Sequence, residues 1–390
     1  MAKLIEITGR ALSGEWGTEA ENGDGIPVIR TTNFTNFGVI NYDNVVIRAV
    51  TKKNIQEKFL RKGDIIIEKS GGSDNFPVGR VVYFDGEDSK YLFNNFTGLL
   101  RVKNHEKWYP KFVFYALYSN YKRGGTRKFE NKTTGLHNLK IDDYISRFEI
   151  ADISKEKQIL ICMVLDKLYQ IIAKRRKMLL MLDDLVKARF VEMFGDLRDN
   201  PFEYMKMPLK NTCKVITGNT PSRAIAGYYG NYIEWIKTDN IVSGLLNPTK
   251  AIESLSEDGM KIGRIVEKDS ILMVCIAGSI ASIGRVCITD RAVAFNQQIN
   301  AIVPRVYDIL FLYVMLQLSK VYLAEEINMS LKGILSKSKL EEKEFIVPPM
   351  KLQKEFAHFV KQVDKSKVVI EKSLKELETL QASLMQKYFS

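Results

Sequence analysis

Cysteine and histidine are scarce in this sequence. Its 390 residues include only three histidines and four cysteines, and the cysteines are Cys162, Cys213, Cys275 and Cys287. None of them has CxxC spacing, and a structural zinc site needs four clustered thiolate or imidazole ligands. The sequence therefore argues against a metal centre and is typical of a protein in a reducing compartment.

Long apolar runs are also missing. The run at residues 159–165 ends at Asp166, whereas a membrane-spanning helix needs about 20 apolar residues. The opening Met1-Ala2-Lys3-Leu4 lacks the charged and apolar regions of a secretory signal. We therefore expect a cytoplasmic protein.

The sequence lacks the motifs of nucleotide hydrolysis and DNA modification. No GxxxxGK[ST] loop is present, and Gly71-Gly72-Ser73 has neither the lysine nor the spacing to hold phosphates. An adenine methyltransferase needs an Asn-Pro-Pro-Phe type motif to hold the extruded base, and Asn200-Pro201-Phe202 lacks the second proline. We therefore predict a protein that is not catalytic by itself.

Positive charge is in excess over the whole chain. The formal net charge is +12, from 58 basic and 46 acidic residues. Residues 1–153 contribute +4 (23 basic, 19 acidic) and residues 205–347 contribute +3 (17 basic, 14 acidic). This excess indicates an acidic partner such as nucleic acid, although neither block is a polycation.

Two stretches have an apolar row at helical spacing. The first row is Ile161, Val164, Leu168, Ile171, Arg175, Met178, Leu182 and Leu185. Adding 195 to each number gives the second row, Phe356, Phe359, Val363, Ser366, Ile370, Ser373, Leu377 and Leu380. Positions three and four apart share one helix face, so we predict helices over residues 154–197 and 349–390. A helix of roughly 40 residues is about 60 Å long, and a row so narrow indicates packing against another helix.

The rest of the chain also repeats. Residues 28–34 match 235–241 at a separation of 207, 64–66 match 270–272 at 206, 79–81 match 284–286 at 205, and 93–95 match 295–297 at 202. Each block has short β-runs between glycine and asparagine turns, and we predict a helix from Pro110 to Ser119 and a loop over residues 71–77. The order of these matches indicates a tandem duplication of an α+β block and a long helix. If the two helices pack antiparallel, the halves are related by an approximate two-fold axis.

Several motifs of the second half resemble the specificity (S) subunit of type I restriction–modification systems. They are Ile-Thr-Gly-Asn-Thr-Pro-Ser at 216–222, Tyr-Tyr-Gly-Asn at 228–231, Trp-Ile-Lys-Thr-Asp-Asn-Ile at 235–241, Gly-Arg-Val at 284–286, Phe-Asn-Gln-Gln at 295–298, and Val-Pro-Pro at 347–349 with Gln353. The first half departs from the pattern, with Leu-Ser-Gly-Glu-Trp-Gly at 12–17 and Ile-Ala-Asp-Ile at 150–153. Through the duplication, the resemblance covers essentially the whole chain.

The resemblance implies an α+β protein with two target-recognition domains, residues 1–153 and 205–348. They are separated by two spacer helices, residues 154–197 and 349–390, packed as an antiparallel coiled coil with pseudo-two-fold symmetry. It implies that each domain reads one half of a bipartite DNA target. It also implies as partners double-stranded DNA, two methyltransferase (M) subunits and restriction/translocase (R) subunits. This chain would need no cofactor, because S-adenosylmethionine, ATP and Mg²⁺ would bind the partner subunits.

Candidate DNA-contacting residues are cationic, hydroxyl and amide side chains on predicted loops, because phosphates and base edges are bound by such groups. In the first block they are Arg30, Thr32, Asn33, Ser73, Asn75, Lys122, Arg123, Arg127 and Lys128. In the second block they are Thr217, Asn219, Ser222, Arg223, Lys237, Asn240, Ser279, Lys332 and Lys337. We expect glycines 71, 72, 124 and 125 to let the backbone approach phosphates, and Trp235 and Phe295 to be core residues.

A second hypothesis remains open from the residues alone. A two-headed coiled-coil scaffold that binds only proteins would have the same helices and the same repeat. Selection of a two-part DNA motif from random sequences would distinguish the two hypotheses.

Overall fold

The structure is a computed structural model, and it describes residues 1–20, 24–52, 55–133, 136–329 and 333–389. Its contacts divide the chain into two compact units of similar size. The first unit is Met1–Arg175 with Ser373–Ser390, and the second unit is Arg176–Lys372.

The described residues of the first half form short strands and four helices. The strands are β1 (Ala2–Lys3), β2 (Leu12–Ser13), β3 (Thr18–Glu19), β4 (Ile26–Ile29), β5 (Val46–Ala49), β6 (Ile65–Glu68), β7 (Ser70–Gly72), β8 (Val81–Tyr83), β9 (Leu92–Phe93), β10 (Thr97–Leu100), β11 (Glu130–Thr133), β12 (Leu136–Leu139) and β13 (Glu149–Ile150). The helices are α1 (Leu4–Thr8), α2 (Pro110–Lys122), α3 (Ile141–Arg147) and α4 (Lys155–Phe194).

The second half is built in the same way. The strands are β14 (Lys206–Pro208), β15 (Cys213–Thr217), β16 (Tyr229–Gly230), β17 (Ile233–Ile236), β18 (Ser254–Leu255), β19 (Ile265–Val266), β20 (Ile271–Val274), β21 (Ile276–Ala277), β22 (Val286–Ile288), β23 (Val293–Phe295), β24 (Ile299–Pro304), β25 (Asn328–Met329), β26 (Gly333–Ile334) and β27 (Glu344–Ile346). The helices are α5 (Leu209–Thr212), α6 (Glu257–Ile262), α7 (Ile309–Leu318), α8 (Lys320–Ala324), α9 (Lys337–Glu342) and α10 (Met350–Phe389).

Sheet topology is repeated between the units. The first unit has sheets β2-β10-β6-β8, β3-β5-β4-β9, β11-β12-β7 and β1-β13, and the second has β15-β24-β20-β22, β16-β18-β17-β23-β19, β25-β26-β21 and β14-β27. The strand order is the same in each pair of sheets, and β19 is an addition in the second unit. In each unit one parallel pair, β4 with β9 or β17 with β23, joins otherwise antiparallel strands. The predicted α+β duplication is therefore confirmed.

Strand β6 shows why these sheets form. Ile65, Ile66 and Ile67 are all fully buried, with Ile65 and Ile67 in the cluster around α2 and Ile66 in a separate cluster on the other face. A strand covered on both faces needs a continuous apolar run rather than an alternating one. The same division holds in β20, where Ile271 and Met273 face one cluster and Leu272 faces another.

Residues with a clear local role mark the start of both long helices and the end of α4. The Ser154 hydroxyl accepts a hydrogen bond from the N–H of Lys157 (3.4 Å) at the start of α4. The helix ends at Phe194, where Gly195 has φ +75°, a backbone conformation that favours glycine. Helix α10 begins directly after Pro348-Pro349, and both long helices contain 40 residues.

The two long helices pack against each other in both units and run antiparallel in the second. In the second unit Arg189 of α4 bonds Glu355 of α10 (3.3 Å), and Lys367 bonds Asp183, so the residue numbers run in opposite directions. In the first unit Met385 of α10 lies in one core cluster with Leu165 of α4. The antiparallel pairing that the sequence predicted is therefore present in the second unit, and the two helices share one core in the first.

Eleven of the sixteen positions in the two predicted helix rows are buried or half-buried. Leu168, Leu182, Val363, Ile370 and Leu377 are buried or half-buried as expected. Five positions were wrong by one residue, because at these places the helix buries the residue that follows. The exposed members include Val164, Met178, Leu185, Ser366 and Leu380, and the residues buried or half-buried next to them are Leu165, Leu179, Val186, Lys367 and Gln381. The buried rows repeat every seven residues, as a coiled coil requires.

Two buried glutamines connect the helices to the globular parts. The Gln158 side chain accepts a bond from the N–H of Tyr109 (2.9 Å), and the Gln353 side chain accepts one from the N–H of Asp308 (2.9 Å). Each amide also donates to the carbonyl five residues before it, at Ile153 or Pro348. Tyr109 and Asp308 are 199 residues apart, which gives the separation for aligning α2 with α7.

Candidate nucleic-acid interface

Two predicted loops of the first unit lie side by side. The Arg127 guanidinium donates to the carbonyl of Asp74 (3.2 Å), which connects the loop at 73–76 to the loop that follows α2. Ser73, Asn75, Arg127 and Lys128 are all exposed. Cations and small polar groups are therefore presented together, as contacts to phosphates and base edges require.

Other predicted cations of this region also have partners. The Lys122 ammonium lies over the ring of Tyr118, 5.5 Å from its centroid. The Arg123 guanidinium donates to the carbonyl of Phe389, the last residue of α10. A cation there suits the partial negative charge of a helix C-terminus, so Arg123 has a structural role.

The predicted loop at 71–77 is shorter than expected. Gly71 and Gly72 belong to strand β7, and Gly72 is buried. A Cβ at Gly72 would lie 2.6 Å from the backbone nitrogen of Val78, so close packing within the protein explains this glycine. The expectation that Gly72 lets a phosphate approach was therefore wrong, and the exposed loop begins at Ser73.

Arg80 has a structural role that the sequence did not reveal. Its guanidinium donates to the carbonyls of Thr31 (2.9 Å) and Phe34 (3.1 Å) and pairs with Glu68 (3.3 Å). These bonds attach the turn that carries Arg30 and Thr32 to the sheet. The only sequence signal was the repeated Gly-Arg-Val motif, because Arg285 donates to Thr238 in the same way (3.2 Å).

Asn33 and Asn240 occupy equivalent turns and point inward. Each side-chain oxygen accepts a backbone N–H, from Arg30 (3.1 Å) or Lys237 (2.9 Å). Their amide groups donate to the carbonyls of Asn41 (3.0 Å) and Lys250 (3.2 Å), and only 3% and 7% of the two residues is exposed. Base reading would have to break these bonds, so both residues are assigned to loop architecture rather than to the interface.

In the second unit, two of the predicted cations lie over the ring of one tryptophan. Arg223 and Lys237 bind the two oxygens of Glu253 at 2.8 and 2.9 Å, and both lie over the ring of Trp235. Hydrogen bonds from Lys237 and Arg223 lower the pKa of Glu253. Trp235 is 3% exposed and Phe295 is fully buried, which confirms both as core residues. The carboxylate fixes the positions of both cations and neutralises one positive charge.

The remaining predicted residues of the second unit differ in their hydrogen bonding and in their exposure to solvent. Asn219 is occupied, since its amide donates to the carbonyl of Ile262 and its oxygen accepts the N–H of Arg264, both at 2.9 Å. The exposed predicted residues are Thr217, Ser222, Ser279 and Lys337. Lys332 lies outside the described residues.

Each unit also has a basic cleft, and of its lining the sequence prediction named only Thr217 and Lys337. In the second unit Lys214, Lys261, Arg264 and Lys337 line a cleft along the edge strand β15. The corresponding edge of the first unit is lined by Arg10, Arg61, Arg101, Lys103 and His105. The alternation of buried Cys213, exposed Lys214 and buried Val215 was visible in the sequence as a strand pattern, but the partners across the cleft are distant in sequence.

The three cysteines of the second unit are buried. Burial raises the pKa of Cys213, Cys275 and Cys287 to about 12, so these thiols are protonated and unreactive at neutral pH. Among the described residues, no three His, Cys, Asp or Glu side chains are grouped as metal ligands. No helix in that part of the chain has an apolar stretch suited to crossing a bilayer.

Comparison with known proteins adds a family and a fold. The sequence model of one family, described as the type I restriction modification DNA specificity domain, matches this chain twice, over residues 2–180 and 201–379. A chain from a structure on complex assembly and conformational transition of the type I restriction–modification system has 16% identity and a TM-score of 0.59, with 100% of this chain and 96% of that chain covered. The S subunit of such a system from M. genitalium has 16% identity and a TM-score of 0.57, with 100% and 95% covered.

Proposed function

This chain belongs to the type I restriction–modification DNA specificity family, and we propose that its two units read the two halves of one bipartite, asymmetric DNA target. The chain has two specificity domains and a role in DNA-sequence recognition, so it is a specificity subunit rather than an enzyme. The observation that supports two readers is the strand order that their sheets share, apart from the added strand β19.

The helices would set the gap between the half-sites. Both α4 and α10 have 40 residues, which corresponds to about 60 Å, and α4 continues from the first unit into the second. The grooves of B-DNA repeat about every 34 Å, so a helix of this length is suited to bridging separated half-sites.

The helices would also bind the catalytic partners. These partners would be two methyltransferase subunits and the restriction/translocase subunits, which would bind S-adenosylmethionine, ATP and Mg²⁺. The complex would act in the cytoplasm. Apolar side chains that α4 leaves exposed support such a contact. Leu160 and Met163 of the first unit are 61% and 63% exposed, and Met181 and Leu185 of the second are 59% and 47% exposed. Clusters of exposed apolar side chains are typical of protein interfaces.

Selection from random-sequence DNA tests the proposal. The chain, reconstituted with its methyltransferase subunits, should enrich a two-part motif with a fixed gap. Changing Arg127 and Lys128 to Ala should weaken binding and lower the slope of log K against log salt by about 0.9 for each lost phosphate contact. The matched pair Arg223→Ala and Lys237→Ala makes the same test in the second unit.

Two outcomes would contradict the proposal. If no two-part motif is enriched while a stable protein complex forms, the chain acts as a protein scaffold. If a motif with one part is enriched, the two units do not read separate half-sites.

A further inference from the structure

The second unit contains a cavity that the DNA-reading role does not use. The cavity has a volume of about 410 Å³ and lies between α7, strand β22 and the segments of α4 and α10 in that unit. Leu310, Tyr313, Val314, Val360 and Val363 give it an apolar lining. Small-molecule sites in proteins typically have volumes of roughly 300–1,000 Å³ and apolar walls with a few polar groups.

Aromatic rings occupy the equivalent place in the first unit. The ring of Tyr169 stacks on Tyr115 with centroids 5.9 Å apart and meets Tyr118 edge-on at 6.3 Å. At separations of 199 for α7 and 195 for α10, the second unit has smaller side chains at these positions, namely Val314, Gln317 and Asp364. All three line the cavity. The missing rings explain why this place is filled in one unit and open in the other.

The charge around the cavity also differs from that at the equivalent region of the first unit. The cavity is lined by five cations, Lys187, Arg285, Lys320, Lys361 and Lys367, against two carboxylates, Asp183 and Asp364. Burial and the nearby Arg285 lower the pKa of Lys320. Arg80 of the first unit pairs with Glu68, but the residue opposite Arg285 is Val274. Two neighbouring cations therefore face the cavity without the carboxylate that the first unit provides.

We propose that this cavity binds a small aromatic phosphate about the size of a mononucleotide. The aromatic ring takes the space that Tyr169 fills in the first unit, against Tyr313 and Val360. The phosphate, which carries about two negative charges, faces Arg285 and Lys320. The site lies in the second unit, where the aromatic rings of the first unit are replaced by smaller side chains, so it would make the two halves of the chain functionally different. It does not depend on the proposed DNA reading.

Calorimetric titration of the full chain with three probes tests this proposal. Adenosine monophosphate has both the ring and the phosphate, adenosine has only the ring, and inorganic phosphate has only the charge. We expect adenosine monophosphate to bind at least tenfold more tightly than either of the other two. No heat from adenosine monophosphate, or equal binding of all three, would overturn the proposal.

Two variants locate the binding in the cavity. Asp364→Tyr restores the residue type of the first unit and should abolish binding, whereas Ser366→Tyr on the exposed side of the same helix should leave it unchanged. Lys320→Gln should weaken adenosine monophosphate about tenfold and leave adenosine unaffected. Circular dichroism confirms that each variant is folded. If folded Asp364→Tyr binds as tightly as the wild type, the proposed site is wrong.

Discussion

The register of the helix pair can be tested with two neighbouring residues. Leu165 is fully buried in the core of the first unit, whereas 41% of Val164 is exposed. Truncating a buried leucine removes its transfer free energy and leaves a cavity, which together lower the free energy of unfolding by about 2–5 kcal/mol. A substitution at an exposed helix position usually changes it by at most about 0.5 kcal/mol. We therefore expect a large effect for Leu165→Ala and a small one for Val164→Ala.

Thermal unfolding followed by circular dichroism measures this difference. For a unit of roughly 190 residues, a loss of about 3 kcal/mol corresponds to a decrease of roughly 6–12 °C in Tm. Equal decreases for both variants would refute the assignment of Leu165 to the core row and Val164 to the outer face.

The same register predicts which residues bind a partner subunit. Val164→Asp should leave the chain folded, because the carboxylate remains in water, but it should weaken binding of the methyltransferase subunit by placing a charge in an apolar contact. Pull-down with that subunit measures the effect, and Lys157→Asp on the same helix is a charge control. Undiminished binding of Val164→Asp would show that the methyltransferase subunit contacts another face.

Three further predictions concern the second unit. A Cβ at Gly218 would lie 2.1 Å from the carbonyl oxygen of Asn296, whereas a Cβ at Gly227 would meet nothing within 4 Å. Gly218→Ala should therefore lower the free energy of unfolding by about 1–3 kcal/mol, and Gly227→Ala should change it little. Urea titration measures both. Gln353→Ala should cost roughly 2–4 kcal/mol in the same assay, because buried backbone groups lose their bonds. Hydrogen bonds from Arg291 lower the pKa of Glu234 below its ordinary 4.5. The ion pair therefore stabilises the protein fully above pH 4.5. The difference in free energy of unfolding between the wild type and Glu234→Gln should disappear as the pH falls through the lowered pKa. An advantage that persists in strong acid would contradict this.

Local patterns determined much of the fold. The β-runs between glycine and asparagine turns predicted short strands, and the continuous apolar run of three isoleucines at 65–67 is typical of a strand covered on both faces. Proline and apolar spacing predicted the helix that begins at Pro110. The ordered separations between matching motifs predicted two equivalent units, since a duplicated sequence repeats every local preference.

Register and side-chain direction were harder to predict. Val164 and Leu165 are both apolar, so a row at 164 and a row at 165 fit the same sequence, and packing against the partner helix selects the second. Asn33 looked like a loop residue available to bases, but its turn directs the amide to the backbone of Asn41. These choices depend on partners that are distant in the chain.

Sequence patterns and family motifs were sufficient to predict a duplicated α+β protein with paired long helices and a DNA specificity role. The folded structure was needed to show which polar side chains face solvent, which cations share a carboxylate, and which half of the repeat has the open cavity. Strand and helix preferences act over a few residues, whereas burial and pairing depend on residues that the fold brings together from distant parts of the chain.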